Sequence, residues 1–383
     1  MSFFRWLAGF FASGEPEAPP RHYARFQEEG RESLAAVNEL SRLFTDNGAP
    51  TQAFVGHDAA EIPLALGNLY RAQGDIDRAV ALREAVLSRQ NDNQGQNDGV
   101  SARTYFELGR DYRTAGFLDR AVDAFREARK LGFSEQAIRL ELARLYADSG
   151  EFSAAASEYT KIDMPYAAAH FLVRQAEEIG AEGKDEAALR LLRQAINVYP
   201  GSPEVRRSLA CMSLMAGSAS ESIVHLRAGL AKGDDSARLI LLEGLYAFIR
   251  GGAAPDIDME ALDAVAASLG EIIGELGQSL TLCYYAGLFL HRVGRKDEAE
   301  QWFTKCLILD PDFWAARLAL LALCAEREPL PPLLAQQIAF FTEQGLKAKR
   351  FLCPPCGLRR DTIFSRCPRC QDWHSVTFRP RLT

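Results

Sequence analysis

From about Arg21 onward, apolar residues recur at intervals of three and four, the spacing that lines one face of an α-helix. No two-residue alternation interrupts them until the last forty residues. The pattern therefore predicts helix after helix. Its breaks fall at glycines in a regular series: Gly74, Gly116, Gly150, Gly183, Gly217 and Gly294, separated by 42, 34, 33, 34 and 77 residues. Each stands where a helix should end, because glycine enters the left-handed conformation that closes a helix without a Cβ clash. The 42-residue interval contains a polar loop, Asn91 to Gly99, with nothing to bury. The 77-residue interval fits two units with a degenerate one between them.

A period of 34 residues built from paired helices is that of the tetratricopeptide repeat. The side chains agree. In the cleanest unit Tyr105, Leu108, Gly109, Tyr112, Gly116, Ala121, Phe125 and Ala128 place large, small and aromatic groups where two helices of a hairpin must touch. Leu66, Gly67, Tyr70 and Ala79 repeat part of the set, as do Leu142, Ala143, Tyr146, Ala155 and Tyr159. Further units follow at Ala188, Leu192, Ala195 and Pro200, and at Ala286, Gly287, Ala299, Phe303 and Pro311. Two units read weakly: Ser222 stands in place of an alanine, and residues 236–270 carry the pattern poorly around Gly251 and Gly252. The predicted fold is all-α, a solenoid of about seven to eight hairpins over residues 21–346, whose first helices line a groove. Pro329 and the Pro331–Pro332 pair close the array, and a last helix over Leu333 to Leu346 is expected to cap its open end.

Residues 347–383 break the helical pattern. They carry CPPCG, ten residues counted from that glycine, then CPRC, so Cys353, Cys356, Cys367 and Cys370 form two C-x-x-C knuckles. Four thiolates satisfy a tetrahedral Zn²⁺, and the two-residue gap lets both sulfurs of a knuckle reach one ion. The same S4 geometry suits iron in a rubredoxin-like site, so both metals stay open. A closed set of four ligands leaves no position for substrate, which makes the metal structural rather than catalytic. Gly357 fits the turn after the first knuckle, and His374 is assigned a surface or supporting place because four sulfurs already fill the tetrahedron. The other cysteines, Cys211, Cys283, Cys306 and Cys324, lie singly on apolar helical stretches and are expected in the core. Thiolate ligands beside unpaired thiols point to a reducing compartment.

The chain's formal net charge is −7, but from Gly345 to Thr383 nine Lys or Arg face only Asp361 and Asp372. That basic ribbon calls for an acidic partner surface. Along the groove, projection of the first helices gives Asn68, Arg71, Arg103, Arg110, Arg113, Arg144 and Arg174. Two readings stand: a solvated face paired with Glu107, Asp111 and Glu141, or a set that grips carboxylates of an acidic segment. Under the second, charge reversal at Arg110 and Arg113 should abolish capture at unchanged thermal stability. No run of eighteen apolar residues exists, so nothing spans a bilayer on its own. Residues Phe3 to Ala12 (FFRWLAGFFA) form a short apolar segment suited to peripheral membrane contact, followed by an acidic, proline-rich linker to Pro20.

A helical repeat array ending in CPPCG, nine further residues, CPRC and Trp373 resembles the lipopolysaccharide assembly protein B family, which has a rubredoxin-type metal-binding domain. The stretches LALGNLYRAQGDIDRAV (64–80) and LGRDYRTAGFLDRA (108–121) carry the rest of the resemblance. It implies a non-enzymatic adaptor at the cytoplasmic face of the bacterial inner membrane. In that family the repeats and metal domain bring a client, the deacetylase that commits flux to lipid A, to a membrane AAA+ protease. The four cysteines map one by one onto metal ligands. The family's full transmembrane helix has as its counterpart here only Phe3 to Ala12.

No H-E-x-x-H, G-x-S-x-G, phosphate-binding loop or G-x-G-x-x-G motif is present, so the chain is read as no enzyme. The rival comes from another class, in which the basic ribbon contacts RNA or DNA phosphates while the repeats hold proteins. Against it, the ribbon has few aromatics to expose besides Phe364, Trp373 and Phe378, whereas single-strand binders usually offer stacking platforms.

Overall fold

The computed structural model describes residues 58–92, 98–251, 257–327 and 330–379. The segment Phe3 to Ala12, the linker and the onset of helix near Arg21 lie outside them. Within the described residues the helical pattern resolves into sixteen helices in eight consecutive hairpins, followed by a small antiparallel sheet. The chain divides between Met164 and Pro165 into two compact units.

The N-terminal unit has three hairpins: α1 (Asp58–Gln73) with α2 (Ile76–Asp92), α3 (Asp98–Thr114) with α4 (Leu118–Lys130), and α5 (Glu135–Asp148) with α6 (Phe152–Lys161). The second unit has five: α7 (Pro165–Ala181) with α8 (Asp185–Val198), α9 (Pro203–Met215) with α10 (Ala219–Lys232), and α11 (Asp235–Arg250) with α12 (Met259–Leu276). These continue with α13 (Leu280–Arg292) and α14 (Lys296–Leu309), then α15 (Trp314–Arg327) and α16 (Pro332–Lys347). All six glycines of the periodic series are left-handed, with φ between 72° and 83°. At Gly116 the closure is complete, because the Phe117 N–H donates to Tyr112 O at 2.9 Å and satisfies a carbonyl the helix end would leave bare.

In several hairpins a glycine lets the partner helix approach. A Cβ on Gly109 would lie 2.6 Å from the Phe125 ring, and one on Gly287 would lie 2.6 Å from Phe303. These are the same contact made once in each unit. In the first hairpin Arg83 takes the place of the ring, with its guanidinium carbon 2.9 Å from where a Gly67 Cβ would stand.

Residues 236–270, weak by pattern, still form two well-buried helices, each packed mainly on the neighbouring pairs: α11 is sealed by buried Leu239 to Leu242 and Phe248, and α12 by Leu262, Val265, Leu269 and Ile272. Gly244 lets α11 approach α9, where a Cβ would meet the aliphatic stem of Arg207. Ser222 is fully buried where alanine was expected, without breaking the hairpin. Of the four single cysteines, Cys211, Cys283 and Cys306 are buried as expected, but Cys324 is exposed. The last helix also departs from expectation. It packs on α15 through Gly345 against Leu318 and Trp314, yet leaves Leu333, Leu334, Phe340 and Phe341 open to solvent. It therefore carries the apolar end of the array outward instead of closing it.

After α16 the chain forms β1 (Phe351–Leu352), β2 (Arg359–Arg360) and β3 (Thr377–Phe378), ordered β2-β1-β3. Phe351 pairs with Arg360 on one side and Phe378 on the other. Phe351 and Val376 are fully buried and form the ribbon's own small core. So few apolar residues cannot offset the chain entropy of about thirty residues, and a domain of this size needs a staple.

Candidate metal centre and its docking face

The staple is the cysteine cluster. One Sγ from each of Cys353, Cys356, Cys367 and Cys370 lies within 4.8 Å of the other three. Across the knuckles the Cys353–Cys370 and Cys356–Cys367 sulfurs are both 3.6 Å apart. A tetrahedron with metal–sulfur bonds of about 2.3 Å has edges of about 3.8 Å, so the donor set fits one metal ion.

Both knuckles are built by the same turn. The Gly357 N–H donates to Cys353 O at 2.8 Å and the Gln371 N–H to Cys367 O at 2.9 Å. In return Cys353 N–H donates to Leu358 O and Cys367 N–H to Asp372 O, both at 2.8 Å. Gly357 (φ 71°) and Gln371 (φ 64°) stand at equivalent positions in the left-handed region. The first was legible as glycine. The second was not, since glutamine there costs roughly 1–2 kcal/mol that the knuckle must overcome. In the protonated cluster, burial pushes the Cys353 thiol up to about 12. At Cys356 the burial cost is outweighed by the Leu358 amide and the neighbouring thiols, which draw it down to about 7. Metal binding must displace these protons, so acid opposes it.

The ribbon is not a free knob. Trp373 inserts among Tyr166, His170 and Phe171 at ring-centroid distances of 5.8, 5.0 and 6.2 Å. Phe378 packs on Tyr284, Phe313 and Trp314 at 5.6, 5.1 and 6.2 Å. The Trp314 indole N–H donates to Arg379 O at 2.9 Å. Two carboxylates flank these aromatic anchors. Glu243 accepts from Arg350 Nη2 at 2.7 Å and from the Tyr285 hydroxyl at 2.6 Å. Glu204 Oε1 lies 2.6 Å from His170 Nδ1, and its Oε2 lies 3.5 Å from His374 Nε2. Burial alone would raise the Glu204 carboxyl, but His170 and His374 together hold it well below the usual carboxylate range. The reciprocal holds at His374, where burial would lower the imidazole and Glu204 raises it.

These partners come from α7, α9, α11 and α13 and from the start of α15, the first helices of the five hairpins. The ribbon therefore lies along the face the repeat architecture offers to ligands. Three sequence readings change. Trp373 and Phe378 are docking anchors rather than exposed stacking platforms. His374 joins the ribbon to the repeats. Part of the acidic surface that the basic tail calls for belongs to its own chain, as Glu204 and Glu243. Glu204 lies in the first turn of α9, where an acid is already explained by the helix N-terminus, so no local signal marked it.

The polar residues projected onto the groove lie on first helices: Asn68 and Arg71 on α1, Arg103, Arg110 and Arg113 on α3, Arg144 on α5 and Arg174 on α7. Most of them are engaged with acids of their own unit. Arg71 pairs with Glu107 at 2.8 Å and Asp111 at 2.7 Å, while Asn68 accepts from Arg71 and Arg83 at 3.0 and 2.7 Å. Arg110 meets Glu107 at 3.2 Å and Glu141 at 3.6 Å, and Arg113 meets Glu141 at 3.3 Å and Asp148 at 2.7 Å. Arg144 meets Glu141 at 2.8 Å, and Arg174 meets Glu177 at 3.6 Å. Charge reversal at Arg110 or Arg113 would set a carboxylate against Glu141, 4% exposed, so it cannot be neutral for stability. Sequence reasoning missed Arg83, fully buried and bonded to Asp111 at 2.6 Å. The signal was available: Arg83 follows Gly67 by the interval that separates Phe125 from Gly109.

Models of the tetratricopeptide repeat match residues 58–131, 106–168 and 280–313. Lipopolysaccharide assembly protein B of Escherichia coli K12 is 22% identical over 346 residues, covering 82% of this chain and 80% of that protein. Its counterpart from Haemophilus influenzae is 24% identical over 351 residues, covering 84% and 79%. A crystal structure of a tetratricopeptide repeat protein from Parabacteroides merdae covers 75% of this chain and 99% of its own at 16% identity, with a TM-score of 0.34. The fold and the cysteine cluster define a tetratricopeptide-repeat protein with a C-terminal ribbon that could hold a metal ion. Together with the likeness over four-fifths of the chain, they fit a protein of the lipopolysaccharide assembly protein B family. Among the described residues no helix is long and apolar enough to cross a membrane.

Proposed function

We propose that this chain is a non-enzymatic adaptor in lipopolysaccharide assembly, with a structural Zn²⁺ held by Cys353, Cys356, Cys367 and Cys370. The observation that carries the reading is the docked ribbon. A four-thiolate centre with no open position is used to fix a basic surface onto a repeat scaffold, an arrangement that presents partners to each other and transforms nothing. The metal supplies folding free energy to the ribbon, on the order of 10–16 kcal/mol in comparable small domains. The named relatives are assembly proteins for lipopolysaccharide, which supports the same process here.

The finer reading is that the adaptor delivers a client enzyme of lipid A synthesis to a membrane AAA+ protease at the cytoplasmic face of the inner membrane. On this reading an acidic segment of a partner meets the cations of α1, α3 and α5, where Arg110 and Arg144 remain about one-third exposed. A nucleic-acid role is disfavoured because Trp373 and Phe378 already pack against rings of the repeats. The test is affinity capture with the full chain from membranes and cytosol, with wild type compared against Cys367→Ser. Capture of an enzyme of lipid A synthesis and a membrane protease, lost in the variant, supports the reading. Capture of RNA with log-linear salt dependence and no such proteins would overturn it.

A further inference from the structure

Seven of the twelve large hydrophobic side chains exposed among the described residues lie between Ile308 and Phe341, and four of those are on α16. Leu333, Leu334, Phe340 and Phe341 are 71%, 48%, 51% and 56% exposed. At 100° per residue they fall, with Gln337 and Gln344, within an arc of about 120°. Ile338, Thr342 and Gly345, the less exposed positions, lie on the neighbouring arc that meets α15. One whole face of α16 is thus apolar and unpartnered.

Two properties of this face identify its occupant. First, it carries no charge. Pro331 to Thr342 contains no Asp, Glu, Lys or Arg, and the charges that follow, Glu343 and Lys347, pair with each other at 2.6 Å. A helix that lies in a lipid surface flanks its apolar face with Lys and Arg to meet anionic headgroups, and α16 does not. Second, the apolar face is symmetric about its middle. Along the exposed face, taken about Gln337, Leu333 mirrors Phe341 and Leu334 mirrors Phe340, while Gln336 and Ile338, which do not match, lie off it. An antiparallel pair of identical helices crossing at Gln337 sets each leucine of one against a phenylalanine of the other. The Gln337 amides, each both donor and acceptor, then meet at the axis.

We infer that α16 is a homodimerisation helix, and that two copies of this chain associate through an isologous antiparallel α16–α16 contact centred on Gln337. The two-fold contact closes, covers the apolar ends of both arrays, and leaves the docked ribbons to present two copies of the metal-bearing surface.

Sedimentation velocity of the full-length chain over a concentration series tests this. Wild type is expected to show a reversible dimer. Phe341→Glu is expected to weaken association by about thirtyfold or more, because it buries an unpaired carboxylate against the apolar Leu333 of the second copy. Leu333→Lys alone should do the same, since the introduced ammonium would lie opposite Phe341 of the second copy. Combining Leu333→Lys with Phe341→Glu in one chain sets opposite charges face to face at both ends of the contact and should recover the dimer. Gln337→Cys should cross-link to itself under mild oxidation more readily than Gln344→Cys. A wild-type monomer at high micromolar concentration would overturn the inference. So would a dimer indifferent to both single variants, or flotation with anionic vesicles that depends on Phe341 while the chain stays monomeric. Failure here leaves the adaptor reading standing, because capture through the repeats does not require α16.

Discussion

Removing the Glu243 carboxylate should loosen the ribbon from the repeats while leaving the metal bound. Glu243 sits on α11 at 4% exposure and occupies both oxygens with ribbon and scaffold groups, Arg350 and Tyr285. In Glu243→Ala, Arg350, itself 5% exposed, remains buried without its counter-charge, and the Tyr285 hydroxyl loses its acceptor. Breaking one side of a buried pair costs about 3–5 kcal/mol, against which the docked state would drop by roughly a hundredfold to a few thousandfold relative to the released one. Replacing both partners, with Glu243→Leu and Arg350→Met, removes charge and counter-charge together and should return to within about 1–2 kcal/mol of wild type. The assay is a urea titration followed by tryptophan fluorescence, since Trp314 and Trp373 both lie in the contact, with metal content measured in parallel. A single variant with an unchanged midpoint, or a double variant as weak as the single, would refute the assignment of Arg350 and Glu243 as a buried clasp.

Other outcomes follow from the same geometry. Cys367→Ser, or chelation, should melt residues 351–379 with the helical circular dichroism signal largely retained, because the repeats bury their own cores. The Glu204 clasp has two pH limits. Glu204 is depressed, so its contribution is full above about 4.5 and is lost as pH falls through the lower folded value. His374 is raised, so its contribution is full below about 6.5 and is lost as pH rises through the higher folded value. Tryptophan fluorescence should therefore report looser docking on the alkaline side in wild type, and His374→Ala should abolish that limb. Gly109→Ala should destabilise more than Gly116→Ala in thermal melts. The first drives a methyl into the Phe125 ring for about 1–3 kcal/mol, and the second meets no atom within 4 Å and incurs only a left-handed backbone cost of about 1–2 kcal/mol.

The sequence carried the repeats and the metal ligands because both are local codes. A glycine forced to φ near 80° every 34 residues, and two thiols two residues apart, announce themselves without reference to the rest of the chain. The docking of the ribbon is not local. Arg350 and Glu243 lie 107 positions apart, and nothing in either neighbourhood marks them as partners. Helical projection put the cations on first helices, but it could not show that Glu107, Asp111 and Glu141 would engage so many of them. Arg83 was hidden for a different reason. A charged residue standing in an aromatic's position is discounted by any pattern that looks for apolar periodicity, although Asp111 and Asn68 complete its environment.

Hydroxyl-radical footprinting of Tyr284, Trp314 and Trp373 in the full chain, with and without chelator, tests most directly whether a metal-folded ribbon covers the inner face. Oxidation of all three should rise together when metal is removed and fall again when Zn²⁺ is restored. If the three residues are as reactive with metal as without it, the ribbon does not cover that face and the account fails.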